Sequence, residues 1–412
     1  MRKLLTALTV LCLATALHAQ TFYICDDGRT STATELAFTQ SGTAINGAAT
    51  ASVDSITMHV PELRFVGGDI SLLPTYEEHG AIYKDHDGNT ISDMLSFLKQ
   101  QGWNAMRVRL FVDPSKATST EKGEGVRQDL DYVVSLGRRI KAAGMLLMLD
   151  FHYSDAWADP AKQWTPDAWL TLDDEALYQK VYSYTRECLE AMNAAGASPD
   201  FIQTGNEISY GMLWGQRGTS ANRCYMGSDA GWERFTTLLK RAGQACREIC
   251  PQAKIVLHTE RAKQPSVLSN FYTQMKQYGV DYDIIGLSYY PYYHGNLATL
   301  NTALTQMENN YPDKRIMIVE TGHSYKYKVG DDNTAYALTE AGQKQFADEL
   351  IQTLHRHERV DGLFWWFPEA NEFGLDWSTK RVTDEWYNAG LFDNATGRAT
   401  SALSTLKNFI TN

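Results

Sequence analysis

Polar side chains capable of chemistry stand at the ends of short apolar runs along this 412-residue chain. Asp69 follows the first run, and Arg107 and Arg109 share one face of the second by the two-residue period of a strand. The third run leads into Asp150, His152 and Asp155, the fourth into Asn206 and Glu207, and the fifth into His258. Ser288, Tyr289 and Tyr290 close the sixth, Glu320 the seventh, and Trp365 and Trp366 the eighth. Two carboxylates converging from different strands suit glycosidic cleavage, in which one acid protonates the leaving oxygen while the other attacks or activates water. Glu207 and Glu320 are the candidates. A lone strand-end Glu is ordinarily a solvated loop residue or a salt-bridge partner, but here Asn206 directly precedes one acid and an apolar run precedes the other. Trp366 and Trp214 are candidate platforms, since a sugar ring stacks on an indole face. His258 reads as a core or rim histidine.

The elements that must position these groups follow from periodicity. Apolar runs at 64–67, 105–111, 145–151, 201–204, 254–257, 284–287, 315–319 and 362–366 alternate with amphipathic helical stretches at 91–101, 126–143, 174–195, 232–249, 266–278, 297–311 and 342–357. Asn89 and Thr90 offer a start signal for the first helix, and Gly102 and Gly144 follow the ends of two others. Strands bounded by helices imply right-handed βαβ units and a parallel sheet buried on both faces. Eight units predict an α/β fold of the (β/α)8 TIM-barrel type, whose reactive groups sit at the C-terminal ends of the strands. The turn after the first strand, Val66-Gly67-Gly68-Asp69, lacks the GxGxxG pattern of a dinucleotide site. Residues 20–60 are small, Thr/Ser/Ala/Gly-rich and without helical period, and are expected to form a short β-rich extension ahead of a catalytic domain over 61–412.

Composition narrows the partners. At 43% hydrophobic and 21% charged the chain is an ordinary globular protein, and a formal charge of -11 disfavours nucleic acid, which needs basic patches. Residues 1–19 read as a signal peptide, with basic Arg2 and Lys3, an apolar stretch and a cleavage site after Ala19. The mature protein is therefore expected to be exported, to the periplasm, the cell surface or the medium. The later sequence has no run of ~18 apolar residues, so no membrane span is expected. The five cysteines beyond the leader are too few for a disulfide scaffold.

Several segments together resemble glycoside hydrolase family 53, the arabinogalactan endo-β-1,4-galactanases. They are the Val66-Gly67-Gly68-Asp69-Ile70-Ser71 turn, the Arg107-Val108-Arg109 strand, the run from Leu149 to Pro160 with His152, Asp155, Trp157 and Gln163, and Gln203-Thr204-Gly205-Asn206-Glu207-Ile208. Gly211-Met212-Leu213-Trp214, Gly286-Leu287-Ser288-Tyr289-Tyr290-Pro291, His294-Gly295 and Val319-Glu320-Thr321 complete the likeness, which spans about 65–392. Family members commonly end strand 8 with Tyr-Trp-Glu-Pro, where this chain has Trp365-Trp366-Phe367-Pro368. The resemblance implies a retaining enzyme with Glu207 as acid/base and Glu320 as nucleophile, acting within galactan chains. It further implies that Arg107 or Arg109 holds Glu320 charged, that Asn206 meets the sugar 2-hydroxyl, and that Tyr289 or Tyr290 orients the nucleophile. Asp69, His152, Asp155, Trp157, Trp214, His294 and Trp366 complete the expected substrate contacts. No cofactor is required; Asp331, Asp332 and Asn333 are candidate oxygen ligands for a structural calcium. A monomer acting on a polysaccharide is expected. The rival readings are a retaining glycosidase for another β-linked polymer and a non-catalytic carbohydrate-binding barrel.

Overall fold

The computed structural model describes residues 64–326, 335–376, 382–383 and 388–411, together with five short strands nearer the N-terminus. The chain divides into two compact units, Met1–Leu63 and Arg64–Asn412. In the first, Tyr23–Ile24 pairs antiparallel with Ile56–Thr57, and Leu36–Thr39, Gly42–Ile45 and Ala48–Ala49 form an antiparallel meander. The leader at 1–19 and the calcium candidates Asp331, Asp332 and Asn333 lie outside the described residues.

The second unit is a closed barrel of eight parallel strands. They are β1 (Phe65–Asp69), β2 (Ala105–Leu110), β3 (Leu146–Phe151), β4 (Phe201–Thr204), β5 (Lys254–Thr259), β6 (Ile284–Tyr289), β7 (Arg315–Thr321) and β8 (Val360–Trp366). The helices that return the chain between successive strands are α1 (Met94–Gln100), α2 (Leu130–Ala142), α3 (Asp174–Ala194), α4 (Trp232–Ile249), α5 (Pro265–Gln277), α6 (Leu297–Asn310) and α7 (Glu340–Leu354), with shorter helices such as Leu73–His79 and Ser119–Gly123 in the loops. This is the expected (β/α)8 architecture. Capping chemistry sets the helix starts: Asp93, Asp129, Asp173, Asn296 and Thr339 each accept a backbone N–H from the first turn of α1, α2, α3, α6 and α7. The first helix thus begins three residues later than Asn89 and Thr90 suggested, because the Asp93 carboxylate takes the Ser96 N–H.

Alternation along the strands builds the barrel interior. Ala105, Met148, Phe201, Val256, Ile284, Met317 and Phe364 form a buried apolar layer, one residue from each of β2 to β8. At the corresponding place on β1 stands Gly67, where a Cβ would lie 2.0 Å from the Ala105 carbonyl oxygen, so this closely approached strand admits only glycine. Two residues onward, the same faces present Asp69, Arg107, Asp150, Gln203, His258 and Trp366, all buried. A plug of hydrocarbon therefore supports a polar layer at the C-terminal mouth.

Strand β7 breaks the alternation. Met317 and Val319 both belong to the inner layer, which would turn Glu320 outward. The register with β6 shifts between Leu287 and Ser288, so that Leu287 pairs with Ile318 but Ser288 pairs with Glu320. A second shift against β8 lies between Ile318 and Thr321. Such an irregularity bends the strand and re-aims one side chain, and here it brings Glu320 into the mouth.

Candidate active site

Arg107 is the hub of the polar layer. Its Nη1 donates to Asp69 Oδ2 at 2.8 Å, and its Nη2 to Asp150 Oδ2 and Asn206 Oδ1, both at 2.8 Å. Nη2 also meets Glu320 Oε1 at 3.0 Å. Burial opposes the charge of Arg107, yet Asp150, Glu320 and Asp69 outweigh it and raise its pKa. Asp150 is buried, which favours its neutral form, but Arg107 and His152 overcome this and lower its pKa. The Ala158 N–H donates to His152 Nδ1 at 3.0 Å, which leaves His152 Nε2 to carry the hydrogen facing Asp150, 3.1 Å away. Arg107, not Arg109, holds the nucleophile candidate. Arg109 bonds Asp69 Oδ1 at 2.8 Å and stacks between Trp157 and Trp366, with its guanidinium carbon 4.8 Å from each ring centroid.

Glu207 reaches the same place by a strained turn. Gly205 has φ 115° and Glu207 φ 47°, the latter a left-handed conformation unusual for a side-chain-bearing residue. Three bonds hold it: Gln163 Nε2 to the Asn206 carbonyl at 2.7 Å, Ile208 N–H to the His258 carbonyl at 2.9 Å, and Glu207 N–H to His258 Nδ1 at 3.3 Å. Asn206 spends its Oδ1 on Arg107 and one Nδ2 hydrogen on the Ala158 carbonyl at 2.8 Å, leaving a second Nδ2 hydrogen for a ligand.

The two carboxylates share one hydroxyl. Ser288 Oγ lies 2.6 Å from Glu207 Oε1 and 3.5 Å from Glu320 Oε2, so these oxygens are at most about 6 Å apart. That suits a retaining pair, near 5–5.5 Å, better than an inverting pair at about 6.5–9.5 Å. Tyr290 donates its hydroxyl to Glu320 Oε2 at 3.1 Å. Burial pushes Glu320 up to about 7 against the pull of Arg107, while Asp150 and Asp69 add to the rise. Glu207 is also pushed well above the usual carboxylate range, by burial first, then by the negative charges of Glu320 and Glu260. Only Glu320 of the two is bonded to a guanidinium, so the first proton taken up by the pair resides on Glu207. The arrangement can therefore protonate a glycosidic oxygen from Glu207 while ionised Glu320 attacks the anomeric carbon, after which Glu207 serves as base to a water.

The other expected contacts divide. Trp157 and Trp366 meet with ring centroids 6.0 Å apart beside Arg109 and line the mouth. Trp366 is only 8% exposed, so about 20 Å² of a large indole is open to a sugar as the chain stands, well short of a full stacking face. Tyr289 needs correction: it alternates outward, stacks on Phe346 of α7 and donates to the Gly295 carbonyl at 2.9 Å, whereas Tyr290 is the residue on Glu320. His294 acts behind it, its Nδ1 accepting the Tyr290 N–H at 3.0 Å, with burial lowering the ring pKa to about 4. Trp214 is buried, donates Nε1 to the Tyr210 carbonyl at 3.0 Å and lies under Arg223, so it presents no open face. Asp155 is also buried and accepts the Asp167 N–H at 2.8 Å, fastening the loop after β3. The sequence names Ser288 at the end of the sixth run and Gln203 before Asn206 but gives neither a role, does not single out Glu260, and leaves His258 a core or rim histidine. Counting in twos from the apolar layer would have found Gln203, His258 and Ser288. Glu260 follows β5; Ser209 donates to its Oε2 at 2.8 Å, and burial, opposed by Arg261, pushes it up to about 7.

Among the described residues no group of three or more His, Cys, Asp or Glu is arranged to hold a metal, and no helix is long and apolar enough to cross a membrane.

Comparison with known proteins places this geometry in a family. Residues 65–406 match the glycosyl hydrolase family 53 profile. A protein of Aspergillus tubingensis named as a probable arabinogalactan endo-β-1,4-galactanase A is 31% identical over 319 residues, 74% of this chain and 85% of its own. The endo-β-1,4-galactanase of Bacillus subtilis is 28% identical and covers 80% of each chain. The family 53 catalytic domain of Ignisphaera aggregans superposes with a TM-score of 0.73 at 32% identity, over 83% of this chain and 95% of that one. This chain belongs to glycosyl hydrolase family 53.

Proposed function

We propose that the protein is an exported endo-β-1,4-galactanase that cleaves galactan and type I arabinogalactan with retention of anomeric configuration. The observation that carries the chemistry is the hydroxyl of Ser288 in reach of both Glu207 and Glu320, which sets them at retaining separation, with Arg107 on Glu320 alone. The choice of galactan rests on the relatives, which are named for that activity. Export rests on the leader-like residues 1–19, and a single chain suffices because both carboxylates and the groups ordering them come from one barrel. A structural calcium at Asp331, Asp332 and Asn333 belongs to the same reading, on the strength of three oxygen donors in sequence. Calcium added to chelator-treated protein should then raise the melting temperature.

The experiment that tests the assignment is release of reducing ends from galactan, arabinan and xylan side by side, with proton NMR of the first product. Rapid release from galactan alone, with a ladder of intermediate oligosaccharides and the β-anomer formed first, is expected. Release from another polymer in place of galactan would overturn the substrate, and the α-anomer first would overturn the role of Glu320.

A further inference from the structure

Beyond the two carboxylates, the mouth holds a buried neutral relay whose purpose the overall reaction does not specify. His258 has one nitrogen, Nε2, 2.8 Å from Ser288 Oγ, and the same Oγ is 2.6 Å from Glu207 Oε1. What happens at the other ring nitrogen decides which way these hydrogens point. Glu207 N–H, which can only donate, faces Nδ1 at 3.3 Å. Gln203 Nε2 faces it at 3.0 Å, and the Gln203 amide is oriented by its Nε2 contact to Asp150 and by Arg107 Nε, which donates to its Oε1 at 3.4 Å. Asn206 Oδ1 also lies 3.0 Å from Nδ1 and accepts from Arg107 Nη2 at 2.8 Å, but the Glu207 N–H can only donate, and the two Gln203 Nε2 hydrogens are taken by Asp150 and Nδ1. Two donors thus converge on Nδ1, which makes it the acceptor and puts the ring hydrogen on Nε2. Burial and the charge of Arg107 keep the ring neutral, so this tautomer persists.

The rest follows by counting hydrogens. Nε2–H donates to Ser288 Oγ, and the single hydroxyl hydrogen of Ser288 is then free to point at Glu207 Oε1. An oxygen that already accepts a strong hydrogen bond is a poor place for the acid proton.

We propose that His258 and Ser288 are positioning residues that occupy Glu207 Oε1 as a permanent acceptor, so that the catalytic proton is carried by Oε2 in every cycle. Oε2 has no hydrogen-bonding partner among the described residues, which leaves it for the glycosidic oxygen in the first step and for the water in the second. The same bond stabilises the carboxylate that remains once the proton has gone to the leaving sugar. It therefore restrains a pKa that other groups raise: Glu320 on β7, Glu260 beyond β5 and Asp159 on the loop after β3 all face Glu207 with negative charge. Arg261 beside Glu260 and Arg107 beside Glu320 offset that charge from behind. His258 itself faces Arg107, Asp150, His152 and His294.

This proposal rests on Glu207 being the acid/base, and the experiment separates the two. Azide is first supplied to Glu207→Ala acting on an aryl β-galactoside with a good leaving group. Recovery of rate with formation of β-galactosyl azide, azide nitrogen bonding to the anomeric carbon as the ester bond to Glu320 breaks, establishes the role of Glu207; no recovery refutes that role and with it the reading beneath this one. The pH profile of kcat/KM on galactan is then measured for the full-length enzyme and for Ser288→Ala and Ser288→Thr. Loss of the donor destabilises ionised Glu207, so the alkaline limb of Ser288→Ala should move up by about one pH unit, while kcat on the aryl substrate, limited by the second step, falls about tenfold. Ser288→Thr keeps a hydroxyl and should restore both. Should Ser288→Ala fail to fold, Ser288→Cys fills the same space with a weak donor and is read in the same way. An alkaline limb that stays put or moves down, or a threonine variant that behaves like alanine, would overturn the proposal while leaving the role of Glu207 intact.

Discussion

Replacing the nucleophile with its neutral isostere should make the protein more stable, by an amount that depends on pH. Burial raises Glu320 from 4.5 to about 7 in the folded protein despite Arg107. A carboxyl group with a raised folded pKa binds its proton more tightly folded than unfolded, so folding stability is greatest below about pH 4.5 and declines until the folded pKa is passed. The window is therefore about 4.5 to 7, and the direction is loss of stability with rising pH. The shift corresponds to roughly 3 kcal/mol at about 1.4 kcal/mol per pH unit. For a unit of some 350 residues, an unfolding entropy near 2.1 cal/mol/K per residue turns 3 kcal/mol into about 4 °C. Glu320→Gln keeps an oxygen beside Arg107 Nη2 and gives up only the ion pair, while Tyr290 can turn its hydroxyl to accept from the new amide. Differential scanning calorimetry of both proteins from pH 4 to pH 8 should show curves that coincide near pH 4 and part to about 4 °C at pH 8, the variant melting higher. A gap that does not change with pH, or a variant that melts lower at pH 8, would show that ionised Glu320 does not cost the fold stability.

The two acid variants should also differ in activity. Glu320→Gln and Glu207→Gln should each lose several powers of ten on galactan, but Glu207→Gln should be partly spared on a nitrophenyl glycoside, whose leaving group needs little protonation, and equal losses there would reverse or abolish the assignment. Tyr290→Phe removes a donor to Glu320 and is expected to lower kcat/KM by ten- to a hundredfold, whereas Tyr289→Phe should lose about 1 kcal/mol of stability and little activity; the reverse order in the two assays would show that β6 had been given the wrong face. Trp366→Ala should weaken oligosaccharide binding and also lower the melting temperature, since its ring is packed against Arg109 and Phe367, and unchanged KM and kcat on galactan would remove it from the site.

Much of this protein is legible in the chain because the information is local. Apolar runs alternating with capped amphipathic stretches announce eight βα units, since a strand of a parallel barrel must be apolar on both faces and each helix needs a start. The two-residue period alone puts Arg107 and Arg109 on one face, and a carboxylate at the end of the fourth run and another at the end of the seventh mark the rim where barrel chemistry occurs. What the chain does not display is which neighbour each rim residue meets. Arg107 rather than Arg109 braces Glu320, and Tyr290 rather than Tyr289 reaches it, because those choices depend on how β6, β7 and β8 slide against one another. Strict alternation from Met317 and Val319 would even send Glu320 outward. Only the register shift beside Ser288 turns it into the mouth, and a register shift is a property of two paired strands, written in neither one alone. Trp214, aromatic and followed by Gly215 in sequence, looks like a platform until the loop after β4 folds over it and spends its N–H on the Tyr210 carbonyl. The tertiary structure decides such matters because burial and hydrogen-bond partnership are set by residues distant in sequence, and the chemistry of Glu207 and Glu320 is governed by those partners as much as by the carboxyl groups themselves.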